Sequence, residues 1–526
     1  LVRLPEVIEV SKYSFILNTR LSGKTSMGRL LYVLAIICLL VLTETSATQK
    51  SEYWLKKVEA ELEGTLKNLR NVNNAKNIIL FISDGMGVAA TTATRIYKGE
   101  LTNKSGEEGL LSYETFPTVG LSKVYCADQI IPDSSSTASA IYTGVKLNFK
   151  TMGVSSDVKK GNCSASLIPA NRLKTIFEYA QNASKHTGII TNTRITHATP
   201  GAAYAHSADR NWESDSEKPV TARECQDIAL QFVNNNVSKN FKIAFGGGYK
   251  HFLPKSLNGT RNDSKNLIEE WKRDKSQRNI SHRYVNSSQD LSAVDLKNTD
   301  QILGLFGPSN RPFINETSET QFPKLSEMVR VAIEKLQQSP EGFVLMVESG
   351  RADKAFHHNL AKVGLLEVLE LDRAVEMARN MTNETDTLII VTSDHSQSLV
   401  INGNAKRGSS ILGLGESLSE ADGKPYTVLN FGNGPGFTKH IIEQNYTRWN
   451  LTGVDTTADD FIQASAVTPR NGSARHAGED VAIYASGPWS HLFDGVHEEN
   501  YIFVAMCYAS CVCGDAYKCH NSTKSV

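Results

Sequence analysis

The sequence predicts an α/β fold, a three-layer α/β/α sandwich around a large, mostly parallel sheet, and three observations predict it. Short apolar runs rich in Ile and Val recur and stop abruptly at polar residues, the pattern of strands buried on both faces. Stretches of helical periodicity lie between them, so strand and helix alternate along the chain. Four of the strand ends carry carboxylates and imidazoles at or just past them, at the position where open α/β sheets bind ligands, beyond the carboxyl ends of their strands.

In chain order the strands are NIILFIS (77–83), TGIITNT (187–193), FKIAFGGG (241–248), FVLMVES (343–349) and TLIIVTS (387–393). The helical patterns cover 53–70, 171–185, 324–338 and 361–380. Residues 403–474 break the rhythm, with GNGPG at 432–436, and read as an inserted, loop-rich subdomain. The α/β domain then comprises 48–402 and, after the insert, 475–526, which ends in a Cys-rich segment.

Ahead of this lies Met27, then Arg29 and LLYVLAIICLLVL (30–42). That run is too short for a bilayer, which takes about 20 apolar residues. With small residues at Thr45 and Ala47 it reads as a secretory signal over 27–47, and 1–26 as an upstream non-native segment. The closing KCHNSTKSV has no hydrophobic tail of the kind a lipid-anchor signal needs, so a soluble, secreted protein without a membrane anchor is expected. Lys+Arg and Asp+Glu both number 56, which leaves no cationic excess for a nucleic-acid partner. At 40% hydrophobic and 21% charged residues the chain is globular.

Secretion gives the cysteines meaning. Of the eight, Cys38 lies in the signal. The odd remainder (Cys126, Cys163, Cys225, Cys507, Cys511, Cys513 and Cys519) leaves at least one thiol unpaired or intermolecular. The N-x-S/T sequons at Asn103, Asn162, Asn258, Asn383 and Asn450 fit the same compartment and a glycoprotein.

At the strand ends stand Asp84, His197 with Thr199, Glu348, and Asp394 with His395. Each has a bland alternative: Asp84 as a helix N-cap, Asp394-His395 as a polar loop pair, His476 as a turn residue. Asp353 and His357, four apart, share a helix face and suit one metal, yet a surface pair has the same spacing. Ser134 follows Pro132 and Asp133 at the start of a helix-prone run, where free N–H groups and the helix dipole attract anions. The alternative there is a capping serine worth about 1 kcal/mol. Convergence of four strand ends on such residues is hard to explain as solvated surface.

FISDGMG, PDSSSTASAIYTGVK, THATPGAAYAH with DRNW, VESGRADKAFHH, TSDHS and HAGEDV occur in this order, and together they closely resemble the alkaline phosphatases from about Trp54 to about Cys519. The resemblance implies a phosphomonoesterase of broad specificity that works through a phosphoserine at alkaline pH. It implies that Ser134 is the nucleophile and Arg210 the phosphate clamp. It implies one zinc on Asp84, Asp394 and His395, a second on Asp353, His357 and His476, and a magnesium on Asp84, Thr199 and Glu348. Imidazole with carboxylate suits zinc, and all-oxygen ligands suit magnesium. The resemblance further implies a Cys163–Cys225 disulfide, a second between Cys511 and Cys519, a crown-like insert at 403–474, and a homodimer embraced by the helix at 53–70.

The chain departs from the family at several positions. The family's D-H-x-H is here Asp394-His395-Ser396-Gln397, so Gln397 replaces an imidazole that orients a zinc-ligating aspartate, and weaker zinc retention is expected. His197 and Lys354 mix the family's animal and bacterial choices, and a Lys ammonium near phosphate slows product release. Phe306 survives from the vertebrate calcium site, but Gly307 and Phe322 stand where carboxylates are usual, so no additional calcium site is expected. DSSST lacks the Pro and Arg of a sulfatase motif, and Ser134 with Arg210 argues against the phosphodiesterase relatives. The alternative is a catalytically weak or silent glycosylated binding protein on the same fold, supported by Gln397 alone.

Overall fold

The computed structural model describes residues 53, 55–60, 62–63, 70–316, 322–442 and 446–514. The chain divides into two units, Leu1–Leu69 and Arg70–Val526. In the first, residues 55–60 are helical, within the stretch expected to form the arm. The second carries everything below.

Its frame is a ten-stranded sheet. The strands are β1 (Asn77–Ser83), β2 (Thr118–Lys123), β3 (His186–Arg194), β4 (Ile243–Gly247), β5 (His282–Val285), β6 (Gln301–Leu305), β7 (Phe343–Ser349), β8 (Thr387–Thr392), β9 (Val481–Ser486) and β10 (Gly495–Glu498). Their order is β10-β2-β9-β8-β1-β7-β3-β4-β6-β5. The seven strands from β8 to β5 pair in parallel, and β9 runs antiparallel to both β8 and β2.

Alternation along the central strands builds two cores. Ile79, Phe81, Leu345, Val347 and Val391 point to one face and pack with α1 (Val88–Glu100), α4 (Leu325–Leu336) and α6 (Ala361–Met381). Ile78, Leu80, Ile82, Val344, Met346, Leu388 and Ile390 point to the other and pack with α2 (Ser134–Thr143) and α7 (Tyr501–Ser510). Helices on both faces of a mostly parallel sheet make the three-layer sandwich. Because both faces are covered, the middle strands have no polar side, which is why they read as unbroken apolar runs.

The expected strands stand within a residue or two of their predicted limits, and 171–185 contracts to Ile176–Asn182, where Thr175 caps the helix through the Glu178 amide. Within 403–474, Leu429–Asn433 joins Leu399–Ile401 and Ser465–Val467 in a separate three-stranded sheet. Cys163 and Cys225 are disulfide-bonded as expected, and Cys126 is a buried free thiol. Cys507 pairs with Cys513, which the sequence left open. Cys511 is also disulfide-bonded, and its expected partner Cys519 lies outside the described residues.

Candidate active site

The parallel register sets the strand ends level. Ile82 pairs with Glu348 on one side and Thr392 on the other, and Glu348 pairs with Thr191 of β3. The segments that leave β1, β7, β3 and β8 therefore enter one region. Asp84 follows β1; Thr199 lies in α3 (Ala198–Gly201) with His197 as its cap; Asp353, Lys354 and His357 lie on α5 (Arg351–His357); Asp394 and His395 follow β8. His476 arrives by a two-residue antiparallel ladder in which it pairs with Gln397, and Ala477 with Ser396.

Ser134 is the first residue of α2. Its cap, Asp133, accepts from the Ser135 amide, and the helix closes on Gly144 in the left-handed conformation. Ser134 Oγ lies 3.3 Å from Asp84 Oδ2, 3.3 Å from His395 Nε2 and 3.5 Å from Arg210 Nη1. Arg210 is held from behind, Nη1 on Asp133 Oδ2 at 3.1 Å and Nη2 against His197 Nε2 at 3.0 Å. Burial raises the Asp133 carboxyl, but Arg210 and hydrogen bonds from Ser135 and Lys150 outweigh it and hold the group below the usual range.

The other expected ligands surround this serine. His395 Nε2 is 3.3 Å from Asp84 Oδ1 and 3.4 Å from Asp394 Oδ2. His357 Nε2 is 3.1 Å from Asp353 Oδ2 and 3.2 Å from His476 Nε2, and His476 Nε2 is 3.8 Å from Asp353 Oδ1. Gln397 donates its amide to Asp353 Oδ1. Glu348 Oε2 accepts from Thr191 and, at 3.0 Å, from Thr193. Three overlapping groups have donor atoms within 4.8 Å of one another: Asp84 with Asp394 and His395, Asp353 with His395 and His476, and Asp84 with His197 and Glu348.

These residues fit bound metal ions on three counts. First, Asp84 Oδ1, Asp394 Oδ2 and Glu348 Oε1 are buried without a hydrogen-bond partner, a costly state for a carboxylate that nothing neutralises. Second, the Nδ1 atoms of His357, His395 and His476 face the carbonyls of Ala474, Ser396 and Pro132 at 2.6, 3.3 and 2.9 Å. A carbonyl only accepts, so Nδ1 carries the hydrogen and Nε2 of each ring is turned inward, where it can ligate once it holds no proton. Nε2 of His357 lies 3.2 Å from Nε2 of His476, and Asp353 outweighs burial to hold the His357 imidazole above its usual range, so a positive charge, proton or metal ion, is favoured at this point.

Third, the electrostatics are frustrated without cations. Burial, then Asp353, Asp394 and Glu348, lifts Asp84 well above the carboxylate range. Burial and Asp353 push Asp394 up to about 6, and burial pushes Glu348 up to about 7. Burial pulls His395 down to about 4 and, with His395 beside it, His476 down to about 3. A dication reverses each of these penalties.

Gly85 shows how tightly the ring is closed. Its φ is +78°, a Cβ there would sit 3.0 Å from the Asp353 Cα, and its N–H points to Asp394 Oδ1 at 3.3 Å.

The cleft above Ser134 encloses about 450 Å³. Besides expected residues, including Lys354, it is walled by Lys150, Arg194, Glu213 and Arg475, which the sequence reading did not single out. Thr191 and Thr193 were also missed. Two threonines at i and i+2 at the end of a buried strand, on one face, were the available signal.

The alkaline phosphatase family model matches residues 75–512. Tissue-nonspecific alkaline phosphatase of Rattus norvegicus is 42% identical over 474 residues, 88% of this chain and 88% of that protein. Alkaline phosphatase of Gadus morhua is 42% identical over 84% of this chain and 93% of its own length, and the membrane-bound alkaline phosphatase of Bombyx mori is 35% identical over 89% and 87%. Among solved structures, alkaline phosphatase of Thermus thermophilus superposes with a TM-score of 0.60 at 22% identity, covering 84% of this chain and 93% of that one, a likeness of fold. With a family model spanning most of the sequence and relatives at two-fifths identity along nearly all of it, this chain belongs to the alkaline phosphatases, metal-dependent phosphomonoesterases.

Proposed function

We propose that Ser134 is the nucleophile of a two-displacement hydrolysis that releases inorganic phosphate through a phosphoserine, at alkaline pH and with broad tolerance of the alcohol. One observation carries it: a hydroxyl at a helix N-terminus stands within hydrogen-bond reach of a carboxylate, an imidazole and a guanidinium that belong to three other segments.

Asp84, Asp394 and His395 would hold one zinc, Asp353, His357 and His476 a second, and Asp84, Thr199 and Glu348 a magnesium. When bound, such ions supply Lewis acidity, making a serine hydroxyl and a water acidic at modest pH and offsetting charge on the attacking and leaving oxygens. The chain's own groups do the rest. The amides opening α2 and the Arg210 fork meet the non-bridging phosphoryl oxygens, and Arg matches that planar pair better than Lys. Asp133 and His197 hold the fork still, so little reorganisation remains at the moment of reaction. In the first displacement the Oγ–P bond forms as the ester P–O bond breaks, and the alcohol leaves with a proton. In the second a water oxygen takes the phosphorus, Ser134 regains its proton, and phosphate departs. Lys354, exposed at the mouth of the cleft, retains phosphate and slows this last step.

The test combines turnover with metal content. Wild type should hydrolyse a chromogenic phosphomonoester and lose activity to a chelator. Both wild type and Ser134→Ala should carry about two zincs and one magnesium per subunit. Only wild type should retain radiolabelled phosphate covalently after acid quench. Activity that survives exhaustive chelation, or labelled phosphate on Ser134→Ala, would overturn the assignment.

The same reading takes residues 48–526 as a secreted, glycosylated homodimer, processed after the signal at 27–47. The Cys163–Cys225 and Cys507–Cys513 disulfides support an oxidising compartment. Among the described residues no helix is long and apolar enough to cross a membrane. The Bombyx mori relative is named as membrane-bound, so expression in animal cells, with the protein sought in medium and membrane fractions and its mass measured by sedimentation, decides the matter.

A further inference from the structure

Five cations line the cleft above Ser134: Lys150, Arg194, Arg210, Lys354 and Arg475. Two are committed to carboxylates in its wall, Arg194 to Glu213 at 2.6 Å and Arg210 to Asp133 at 3.1 Å. Lys150, Lys354 and Arg475 have no carboxylate partner among the described residues. Arg475 reaches only the Arg470 carbonyl, at 3.3 Å. In a chain of zero net charge, three cations without an ion-pair partner among the described residues thus stand around one opening.

Lys150 is the most constrained of the three. It sits at φ +64°, a left-handed conformation that glycine adopts freely and a side chain does not. Its backbone explains the geometry: the Lys150 N–H donates to Asp133 Oδ1 at 2.6 Å, and its carbonyl accepts from the Arg210 N–H at 2.9 Å. The residue is wedged between the cap of the nucleophile's helix and the phosphate clamp. Its ammonium lies 5.4 Å from the Phe149 ring centroid, and both residues line the cleft with Ile131 and Pro132 as further apolar wall. Burial, then the charges of Lys160 and Arg210, holds it below the ordinary ammonium range. The backbone here would accept glycine more cheaply, so the fold itself does not require the Lys150 side chain.

We propose that Lys150 is a specificity residue of the cleft, an anchor for a second anionic group on the substrate, so that the enzyme prefers phosphomonoesters carrying a further phosphate on their alcohol to those with an uncharged tail. Lys354 and Arg475 add to the same field. This rests on the Ser134 reading, in which the scissile phosphate sits at Arg210; the ammonium at the neighbouring position then meets what the alcohol carries.

Two matched esters test it, 4-hydroxybutyl phosphate and butane-1,4-diyl bisphosphate, which differ in one terminal phosphate. The readout is the ratio of their kcat/KM values. Wild type should favour the bisphosphate, with the preference shrinking as salt rises. Lys150→Gly removes the ammonium and relieves the φ strain, so misfolding is no explanation of its effect. It should lower the ratio about twofold to fivefold. Lys150→Arg should keep most of the preference. An unchanged ratio in Lys150→Gly, or an equal fall in Lys150→Arg, would overturn the proposal. Failure of wild type to cleave either ester would instead sink the phosphatase reading.

Discussion

Gln397 donates its side-chain amide to Oδ1 of Asp353, the carboxylate whose other oxygen meets His357. The ladder that pairs Gln397 with His476 places donor and imidazole beside the same aspartate. An amide orients a carboxylate but cannot carry charge. Gln397→Ala should therefore keep the fold and loosen the metal, lowering affinity by about 10–100-fold. Titration with a graded zinc buffer, followed by metal content and not by turnover alone, checks this. Gln397→His should tighten retention relative to wild type.

Arg210 touches both Ser134 and Asp133, so its removal acts twice. The phosphate loses a fork, and Asp133 is left buried without its main counter-charge. Arg210→Ala should cost about 10²–10³ in kcat/KM, the order seen when one oxyanion donor is lost. Arg210→Lys should recover little, because an ammonium is a point charge and cannot make two parallel bonds. Steady-state kinetics on one chromogenic ester suffices, with circular dichroism to verify that both variants are folded.

The parts legible in the sequence are those whose signal is local. NIILFIS and FVLMVES could be bounded to the residue because strands buried on both faces have no polar side. β2 escaped for the opposite reason. In TVGLSK the buried residues are Thr118, Gly120 and Ser122, while Val119 and Leu121 face outward, so its polarity is inverted. Gly120 has to be small, since a Cβ there would meet the Phe493 carbonyl at 1.9 Å, a contact no local pattern reveals. The candidate ligand set came through the resemblance to a family, and the level strand ends explain why residues so far apart in sequence converge. Lys150 gave no signal at all: its place depends on a positive φ and on hydrogen bonds to Asp133 and Arg210, both set by tertiary structure.

The Cys163–Cys225 and Cys507–Cys513 disulfides should differ in weight. Cys163 and Cys225 are separated by 62 residues, Cys507 and Cys513 by 6. Loop-closure entropy makes the first worth about 4 kcal/mol and the second about 2 kcal/mol. Replacing each pair by serines and comparing chemical denaturation should show the larger loss for Cys163→Ser with Cys225→Ser. Equal losses would mean that local packing around Cys507, not chain entropy, dominates.

His251, which contacts Glu213 in the wall of the cleft, offers a pH test read on stability and not on turnover. Its Nδ1 lies 2.9 Å from Thr196 Oγ1 and 3.3 Å from Glu213 Oε2, and its Nε2 lies 3.4 Å from Glu217 Oε1. Burial favours the neutral ring, but Glu213 and Glu217 outweigh it, and the imidazole is held above its usual range. A histidine raised in the folded state binds its proton more tightly there than in the unfolded chain. The stability it adds is fully present below the unfolded value and is lost as pH rises through the folded one. Glu213, held low chiefly by Arg194 against the cost of burial, stays ionised across that window, so the change belongs to the imidazole. His251→Gln should therefore cost more stability at about pH 6 than at about pH 8.5. Denaturation curves for both proteins at the two pH values decide it, and a cost that grows with pH would show that the ring is neutral and held by Thr196 instead of by the two carboxylates.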